Sequence, residues 1–176
     1  MSDLHIRHYE PADVAQILAL YSERAAFADT LQLPFQTIDH WAAKLAPRAG
    51  FTCLVALRGD EIVGQLSLDV SQNPRRRHVA SIGMGVKGSA RRAGVGSALL
   101  SAAIDCCERW MGVSRIEIEV YADNTAAINL YRRHGFLVEG TCRNFAFRDG
   151  GYVDAHVMAR LAVPSRGQGG GSAVGE

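Results

Sequence analysis

Two consecutive strand-to-helix units in the second half of the sequence constrain the fold more than any other feature. Residues 78–86 form an extended apolar segment, and a helical pattern of apolar residues starts after Gly94. Residues 115–121 alternate charged and apolar side chains as a strand does, before a second helical pattern over residues 124–134 that Gly135 closes. A chain with two such units is expected to fold as an α/β domain.

Segments with hairpin patterns lie on both sides of these units. Residues 51–57 and 61–70 are apolar, β-rich runs joined by a short polar turn, and residues 136–148 and 152–161 flank Asp149-Gly150-Gly151. The strands of a hairpin pair antiparallel. The sequence therefore predicts a mixed, mostly antiparallel sheet flanked by helices.

The first third of the chain has a less regular pattern. Residues 4–8 predict a strand, and Glu10 and Pro11 open a helix. Residues 25–50 predict a loop with exposed apolar residues, followed by a short helix around residues 38–45. We expect this irregular segment to line a substrate pocket.

Two glycines, Gly83 and Gly85, interrupt the extended segment at residues 78–86. A glycine inside a strand is typical of a bulge, or of a close approach by a ligand or by another backbone. We therefore expect free backbone groups on this strand.

Composition limits the partners of the domain. The formal net charge of the 176 residues is only +1, so no strong overall field attracts nucleic acid or an anionic membrane. We expect a small-molecule partner, one domain over residues 1–162 and a flexible Gly- and Ser-rich tail over residues 163–176. No secretory pattern and no apolar run of about 18 residues are present, which predicts a cytoplasmic protein. The cysteine spacing predicts reduced thiols and no metal site.

The segment Arg91-Arg92-Ala93-Gly94-Val95-Gly96-Ser97 joins the first of these strands to its helix. N–H groups at a helix start lack partners, and the helix dipole attracts anions there, so glycines at this position suit a phosphate. A tight turn that needs small residues explains the same glycines. The missing third glycine excludes a dinucleotide fingerprint, and the absence of a following Gly-Lys-Ser/Thr excludes a Walker loop.

The second strand-to-helix unit carries the pattern N-x-x-A-x-x-L-Y-x-x-x-G-F at Asn124, Ala127, Leu130, Tyr131, Gly135 and Phe136. In the turn before it, Arg91, Gly94 and Gly96 match [Q/R]-x-x-G-x-[G/A]. Together the two patterns resemble the signatures of the GNAT superfamily of N-acetyltransferases, over residues 4–161. The resemblance implies a single-domain fold in which two central parallel strands splay apart to admit acetyl-CoA.

The resemblance also implies which residues hold acetyl-CoA. Amides of the turn bind the pyrophosphate, and amides of Met84 and Val86 face the pantetheine arm and the thioester carbonyl, where they act as oxyanion donors. The full set implied for the cofactor is Met84, Gly85, Val86, Arg91, Arg92, Gly94, Val95, Gly96, Ser97, Asn124, Ala127 and Tyr131.

Acetyl transfer to an amine needs a route for the amine proton and an acid for the leaving thiolate. The resemblance places the Tyr131 hydroxyl near the coenzyme sulfur, where a phenol donates a proton. Glu117 and Glu119 share one face of a strand, and Glu119 matches the position of a base-like glutamate in ribosomal-protein alanine N-acetyltransferases of the same superfamily. We predict Tyr131 as the acid and Glu119 as the base, and we assign no catalytic role to His78 or His134.

Three further segments, residues 29–34, 73–76 and 148–154, resemble a bacterial branch of the family that acetylates free L-amino acids, favouring apolar ones such as phenylalanine and methionine. Apolar side chains suit the side chain of such an acceptor, and arginines suit its carboxylate. The predicted substrate residues are Leu31, Gln32, Leu33, Arg75, Arg76 and Tyr152.

Other acceptors stay open, because one fold serves several of them: a protein N-terminus, a polyamine, or an amino-acid-like xenobiotic such as phosphinothricin. A non-catalytic acyl-CoA-binding module would keep the glycine turn but has no need of Tyr131 and Glu119, so these two residues favour an enzyme. Members of this superfamily are often dimers, and the closing hairpin is a possible homodimer contact.

Overall fold

The computed structural model describes residues 4–162, and the predicted tail at residues 163–176 lies outside them. Short 3₁₀ turns at Pro11–Asp13, Pro74–Arg76 and Gly88–Ala90 connect the main elements, and Cys106–Trp110 extends α4 as a π-helical segment. The main elements are β1 (Leu4–His8), α1 (Val14–Ser22), α2 (Arg24–Phe27), α3 (Ile38–Lys44), β2 (Phe51–Arg58), β3 (Glu61–Val70), β4 (Val79–Val86), α4 (Val95–Asp105), β5 (Arg115–Tyr121), α5 (Thr125–Arg133), β6 (Leu137–Arg148) and β7 (Gly151–Leu161).

The strands form one sheet in the order β1-β2-β3-β4-β5-β7-β6. β4 and β5 run parallel, and every other neighbouring pair among the strands of residues 4–162 is antiparallel. The hairpin between β6 and β7 turns at Asp149 and Gly150, whose φ angles of 51° and 80° suit a two-residue type I′ turn. The predicted fold class, a single α/β domain with a mixed, mostly antiparallel sheet flanked by helices, is confirmed.

The two central parallel strands separate along their length. Residues 79–81 of β4 pair with residues 115–117 of β5, and the pairing stops there although both strands continue. On its other side β4 stays paired with β3 as far as Val86, which lies opposite Gly64. The splay that the resemblance implies is therefore present, and it opens a gap between the C-terminal halves of β4 and β5.

Each face of the sheet carries its own hydrophobic core. On one face, Leu99 and Leu100 of α4 are fully buried in one cluster with Ile116. On the other face, Ile17 of α1 and Trp41 of α3 are buried in a second cluster. Burial of each such side chain stabilises the fold by about 1.5–3 kcal/mol. The gap between β4 and β5 thus has α4 on one side of the sheet and α1 and α3 on the other.

Two local expectations differ from the structure. β4 contains no bulge, because its register with β3 is continuous from Ala80 to Val86. The reason for a glycine at position 85 is a side chain instead: a Cβ added to Gly85 would lie 2.6 Å from the ring of Tyr21 in α1. In addition, the short helix α2 interrupts the predicted loop after α1.

The four cysteines are unpaired, and Cys53 and Cys107 are buried. Burial raises the pKa of Cys53 to about 11 and that of Cys107 to about 12, so both thiols stay protonated near neutral pH. Within residues 4–162, no helix has the length and apolar character that crossing a membrane requires.

Candidate active site

The gap between β4 and β5 opens into a cavity of about 860 Å³, a size typical of small-molecule sites. The end of β4 and the turn into α4 form one wall, and β5 with α5 forms another. α1, α3 and the segment between α2 and α3 complete the lining. Elements from both faces of the sheet therefore meet around one cavity.

The start of α4 forms an anion site in this cavity. Gly94 caps the helix with a φ of 81°, and no side chain forms a cap hydrogen bond there. The N–H groups of the first helical turn consequently lack a partner at the positive end of the helix dipole. A Cβ added to Gly94 meets nothing within 4 Å, so the space beside this residue is open to a ligand. This geometry fits a pyrophosphate.

The remaining residues of the turn position its backbone. A Cβ on Gly96 would lie 3.0 Å from Leu130, so this glycine allows α4 to approach α5 closely. Arg91 forms an ion pair with Asp29 at 3.0 Å and donates a hydrogen bond of 2.5 Å to a backbone carbonyl of α2. Arg92 has a φ of 62°, a strained conformation for a residue with a side chain. The Arg91 side chain thus ties the turn to the α2 segment.

α5 brings Tyr131 to the cavity. The Asn124 side chain caps this helix by accepting a hydrogen bond of 3.1 Å from the Ala127 N–H. Tyr131 is 4% exposed and packs on Phe136, with their ring centroids 5.7 Å apart. Because burial raises the pKa of Tyr131, its hydroxyl remains a neutral proton donor at pH 7.

A side-chain hydrogen bond joins the two sequence motifs. Ser97 Oγ lies 2.8 Å from His134 Nε2, across the contact between α4 and the end of α5. Burial lowers the pKa of His134, and the nearby Arg133 and Arg160 lower it further, so the imidazole is neutral at pH 7. His134 therefore connects the two helices without adding a charge to the site.

β5 presents Glu117 and Glu119 on one face, and their surroundings differ. Glu117 accepts a hydrogen bond of 2.7 Å from Arg115 and another of 3.1 Å from Arg76. Glu119 is exposed and borders the cavity. Two guanidinium groups occupy the Glu117 carboxylate, whereas Glu119 borders the cavity, so Glu119 is the better candidate for a base.

Aromatic side chains from α1 and α3 form the wall on the other face of the sheet. The rings of Tyr21 and Trp41 stack with centroids 4.5 Å and planes 18° apart. Tyr21 donates a hydrogen bond of 2.7 Å to Gln65 Oε1, and burial raises the pKa of the Tyr21 hydroxyl. The Lys44 ammonium lies 5.0 Å from the centroid of Trp41 and donates a hydrogen bond of 2.8 Å to Gln32. This wall combines apolar surface with a cation.

The structure brings most of the predicted site residues together. Every residue implied for the cofactor lines the cavity, as do Glu119, Leu31 and Gln32. The lining does not include Leu33, Arg75, Arg76 or Tyr152.

Each of these four residues lies elsewhere for a visible reason. The Leu33 side chain is 71% exposed, Arg75 follows the Asn73 cap of a 3₁₀ turn, and Arg76 pairs with Glu117. Tyr152 packs edge-to-face on a neighbouring phenylalanine of the β6–β7 hairpin, at 5.3 Å between centroids.

Sequence reasoning missed the aromatic wall and its cation. Among the lining residues that it did not assign to the site are Tyr21, Trp41, Lys44, Gln65 and Phe145. The helical spacing of α1 marks Tyr21 as buried, but nothing local indicates that a cavity lies beside it. Lys44 lies three residues after Trp41 on the same short helix, a spacing that places the two side chains next to each other. This spacing is the one sequence signal for the wall and its cation.

Known proteins share this fold and much of this sequence. The model of the acetyltransferase (GNAT) family matches residues 14–136. The L-amino acid N-acetyltransferase AaaT of Escherichia coli (strain K12) is 42% identical over 161 residues, which span 92% of this chain and 99% of that protein.

Solved structures agree with the family match. A GCN5-related N-acetyltransferase from Kribbella flavida is 30% identical, with a TM-score of 0.80 over 90% of this chain and 97% of that one. The protein yncA from Salmonella typhimurium, whose structure contains its cofactor acetyl-CoA, has the same fold with a TM-score of 0.81 at 22% identity, over 93% and 96% of the two chains. The family match and the identity over almost the full length of a relative show that this chain belongs to the GNAT family of acetyltransferases.

Proposed function

We propose that this acetyltransferase transfers the acetyl group of acetyl-CoA to the α-amino group of a free apolar L-amino acid, of the phenylalanine or methionine type. The observation that carries the proposal is the composition of one cavity. It contains an uncapped helix start suited to a pyrophosphate and an aromatic wall with a cation suited to an amino acid.

The residues around the helix start fit the cofactor. Acetyl-CoA supplies the acetyl group as a thioester when it is bound. The first-turn amides of α4, from Val95 to Ser97, would hold its pyrophosphate, and the open side of Gly94 leaves room for this group. Beyond residue 81, β4 is free of β5, so Met84 and Val86 lie on a strand that borders the gap. Amides of this strand would bind the pantetheine arm.

Tyr131 and Glu119 line the same cavity and divide the proton transfers in this proposal. Tyr131 would donate its phenolic proton to the leaving sulfur, because the hydroxyl is neutral and buried. Glu119 would accept the proton of the incoming amine, directly or through water, because its carboxylate is exposed to the cavity. A non-catalytic binding module has no need of this pair.

Support for an amino-acid acceptor comes from the wall and from the relative. Tyr21, Trp41 and Leu31 offer apolar surface to a side chain in the cavity. The 42% identical relative is named as an L-amino acid N-acetyltransferase. A polyamine acceptor would favour an acidic wall, whereas this wall carries Lys44.

A substrate panel tests the proposal. The purified protein is incubated with acetyl-CoA and, separately, with phenylalanine, methionine, aspartate, spermidine, phosphinothricin and a short peptide, and thiol release is measured. We expect the highest kcat/KM for phenylalanine or methionine. Higher values for the peptide or spermidine would contradict the amino-acid assignment. Tight binding of acetyl-CoA with no turnover on any amine would instead support a binding module.

A further inference from the structure

Lys44 is the cation that the aromatic wall contributes to the cavity, and its charge has no carboxylate partner there. Arg91 also lines the cavity, but it is paired with Asp29. Arg92 and Arg133 belong to the glycine turn and to α5, the walls that fit the cofactor. Within residues 4–162, the Lys44 ammonium has a neutral partner, the Gln32 carboxamide, and no ion pair.

The surroundings of Lys44 leave hydrogen-bonding capacity unused. An ammonium group donates three hydrogen bonds, and one of them goes to Gln32 Oε1 at 2.8 Å. The ammonium also lies 5.0 Å from the centroid of the Trp41 indole ring. This cation–π contact orients the Lys44 side chain without using another donor. Burial lowers the pKa of Lys44, and Arg48 lowers it further, so its environment favours the arrival of a negative charge.

The position of Lys44 on the aromatic wall indicates which part of a bound ligand would face its ammonium group. Trp41 stacks on Tyr21, and Tyr21 packs against Gly85 of β4, the strand that borders the gap. Lys44, the aromatic pair and the strand are therefore linked by direct contacts. The cofactor fits the walls at the glycine turn and α5, so the groups of an acceptor that face away from the cofactor would meet the wall that carries Lys44.

We propose that Lys44 binds the α-carboxylate of the acceptor amino acid and selects free amino acids over amines that lack this group. The inference rests on the proposed function and names the residue that gives it specificity. Two ammonium protons of Lys44 are available for the carboxylate, and Gln32 holds the side chain in place. Arg75 and Arg76, which the sequence favoured for this role, do not line the cavity.

The test compares L-phenylalanine with L-phenylalaninamide, which keeps the amine and side chain but has no carboxylate. For Lys44→Met, we expect the ratio of kcat/KM for phenylalanine over the amide to fall about 10- to 100-fold, the range for losing a charge-assisted hydrogen bond. Lys44→Arg should restore most of the ratio. Lys87→Met removes the same charge from a lysine that pairs with Glu61 and does not line the cavity, so the ratio should stay unchanged.

A second variant tests the site without removing the lysine. Gln32→Glu places a carboxylate on the present partner of Lys44 and would compete with the carboxylate of the substrate. We expect it to raise the KM of phenylalanine and to leave that of the amide unchanged. Thermal unfolding and acetyl-CoA affinity verify that each variant is folded.

The outcomes separate the two proposals. If the wild-type protein acetylates phenylalanine while Lys44→Met and Gln32→Glu both keep the wild-type ratio, the role of Lys44 is overturned and the proposed function stands. If the wild-type protein acetylates no amino acid, the proposed function fails, and the role of Lys44 fails with it.

Discussion

The two walls that meet in the cavity are built in different ways. The wall at the glycine turn uses backbone groups from one continuous segment, in which Gly94 leaves the helix start uncapped. The wall at α1 and α3 uses side chains, and its contacts join residues far apart in the chain, such as Tyr21 and Gln65. A pyrophosphate is common to all reactions of one cofactor, whereas the acceptor differs between enzymes. Under the proposed function, the backbone wall would bind the shared ligand and the side-chain wall the variable one.

The strongest test of this division is a residue whose main expected role is proton transfer. Tyr131→Phe removes a proton donor and little packing, so we expect kcat to fall about 100-fold or more, as for loss of a general acid. The dissociation constant of acetyl-CoA, measured by calorimetry, should change far less. Tyr152→Phe, on the exposed hairpin, is the matched control. Equal losses in kcat and in affinity would make Tyr131 a binding residue.

A change at the backbone wall should affect the cofactor and spare the fold. Gly94→Asp places a negative charge beside the helix start, and we expect acetyl-CoA affinity to fall about 10- to 100-fold. Gly94→Asn is the control, because asparagine has nearly the same shape and tolerates the φ of 81° equally well. Calorimetric affinities that are the same for the two variants would refute a pyrophosphate at this turn.

Glu117 and Glu119 lie on the same face of β5, but of the two only Glu119 borders the cavity. Comparing their variants tests whether contact with the cavity is required for a role in proton transfer. A base acts in its deprotonated form, so the rate rises with pH through its titration, and Glu119→Gln should remove this rise and lower kcat about 10-fold. Glu117→Gln, which removes the negative charge that pairs with Arg115 and Arg76, should lower the melting temperature and keep the pH profile. An unchanged profile for Glu119→Gln would assign proton removal to water or to another group.

The smallest effect is expected at the side-chain wall. Tyr21→Phe leaves Gln65 Oε1 without its donor, which should lower the free energy of unfolding by about 1–2 kcal/mol. The KM of the amino acid should rise slightly, and the acetyl-CoA affinity should stay the same. Denaturant unfolding and steady-state kinetics measure these quantities. A loss of acetyl-CoA affinity as large as that of Gly94→Asp would remove the distinction between the walls.

The same division explains what the sequence could predict. The residues predicted on the turn and α5 line one cavity, and their signals, Gly94 and the Asn124 cap, are local. The strands and both hairpins were recognised for the same reason. The aromatic wall was missed because the contact between Tyr21 and Gly85 depends on how α1 crosses the sheet. Arg76 was misplaced because its partner, Glu117, lies on a strand that follows much later in the chain.

The short pairing between β4 and β5 also has a mechanical consequence. Residues 79–81 and 115–117 hold together two half-sheets, β1–β4 and β5–β7, each of which has long ladders of its own. This short pairing lies at one end of the gap, where it can act as a pivot between the two half-sheets. A ligand that touches both strands beyond the pivot acts as a strut, because it fixes the angle between the half-sheets. Acetyl-CoA, which under the proposed function would contact both strands, would therefore stiffen the site in which it reacts.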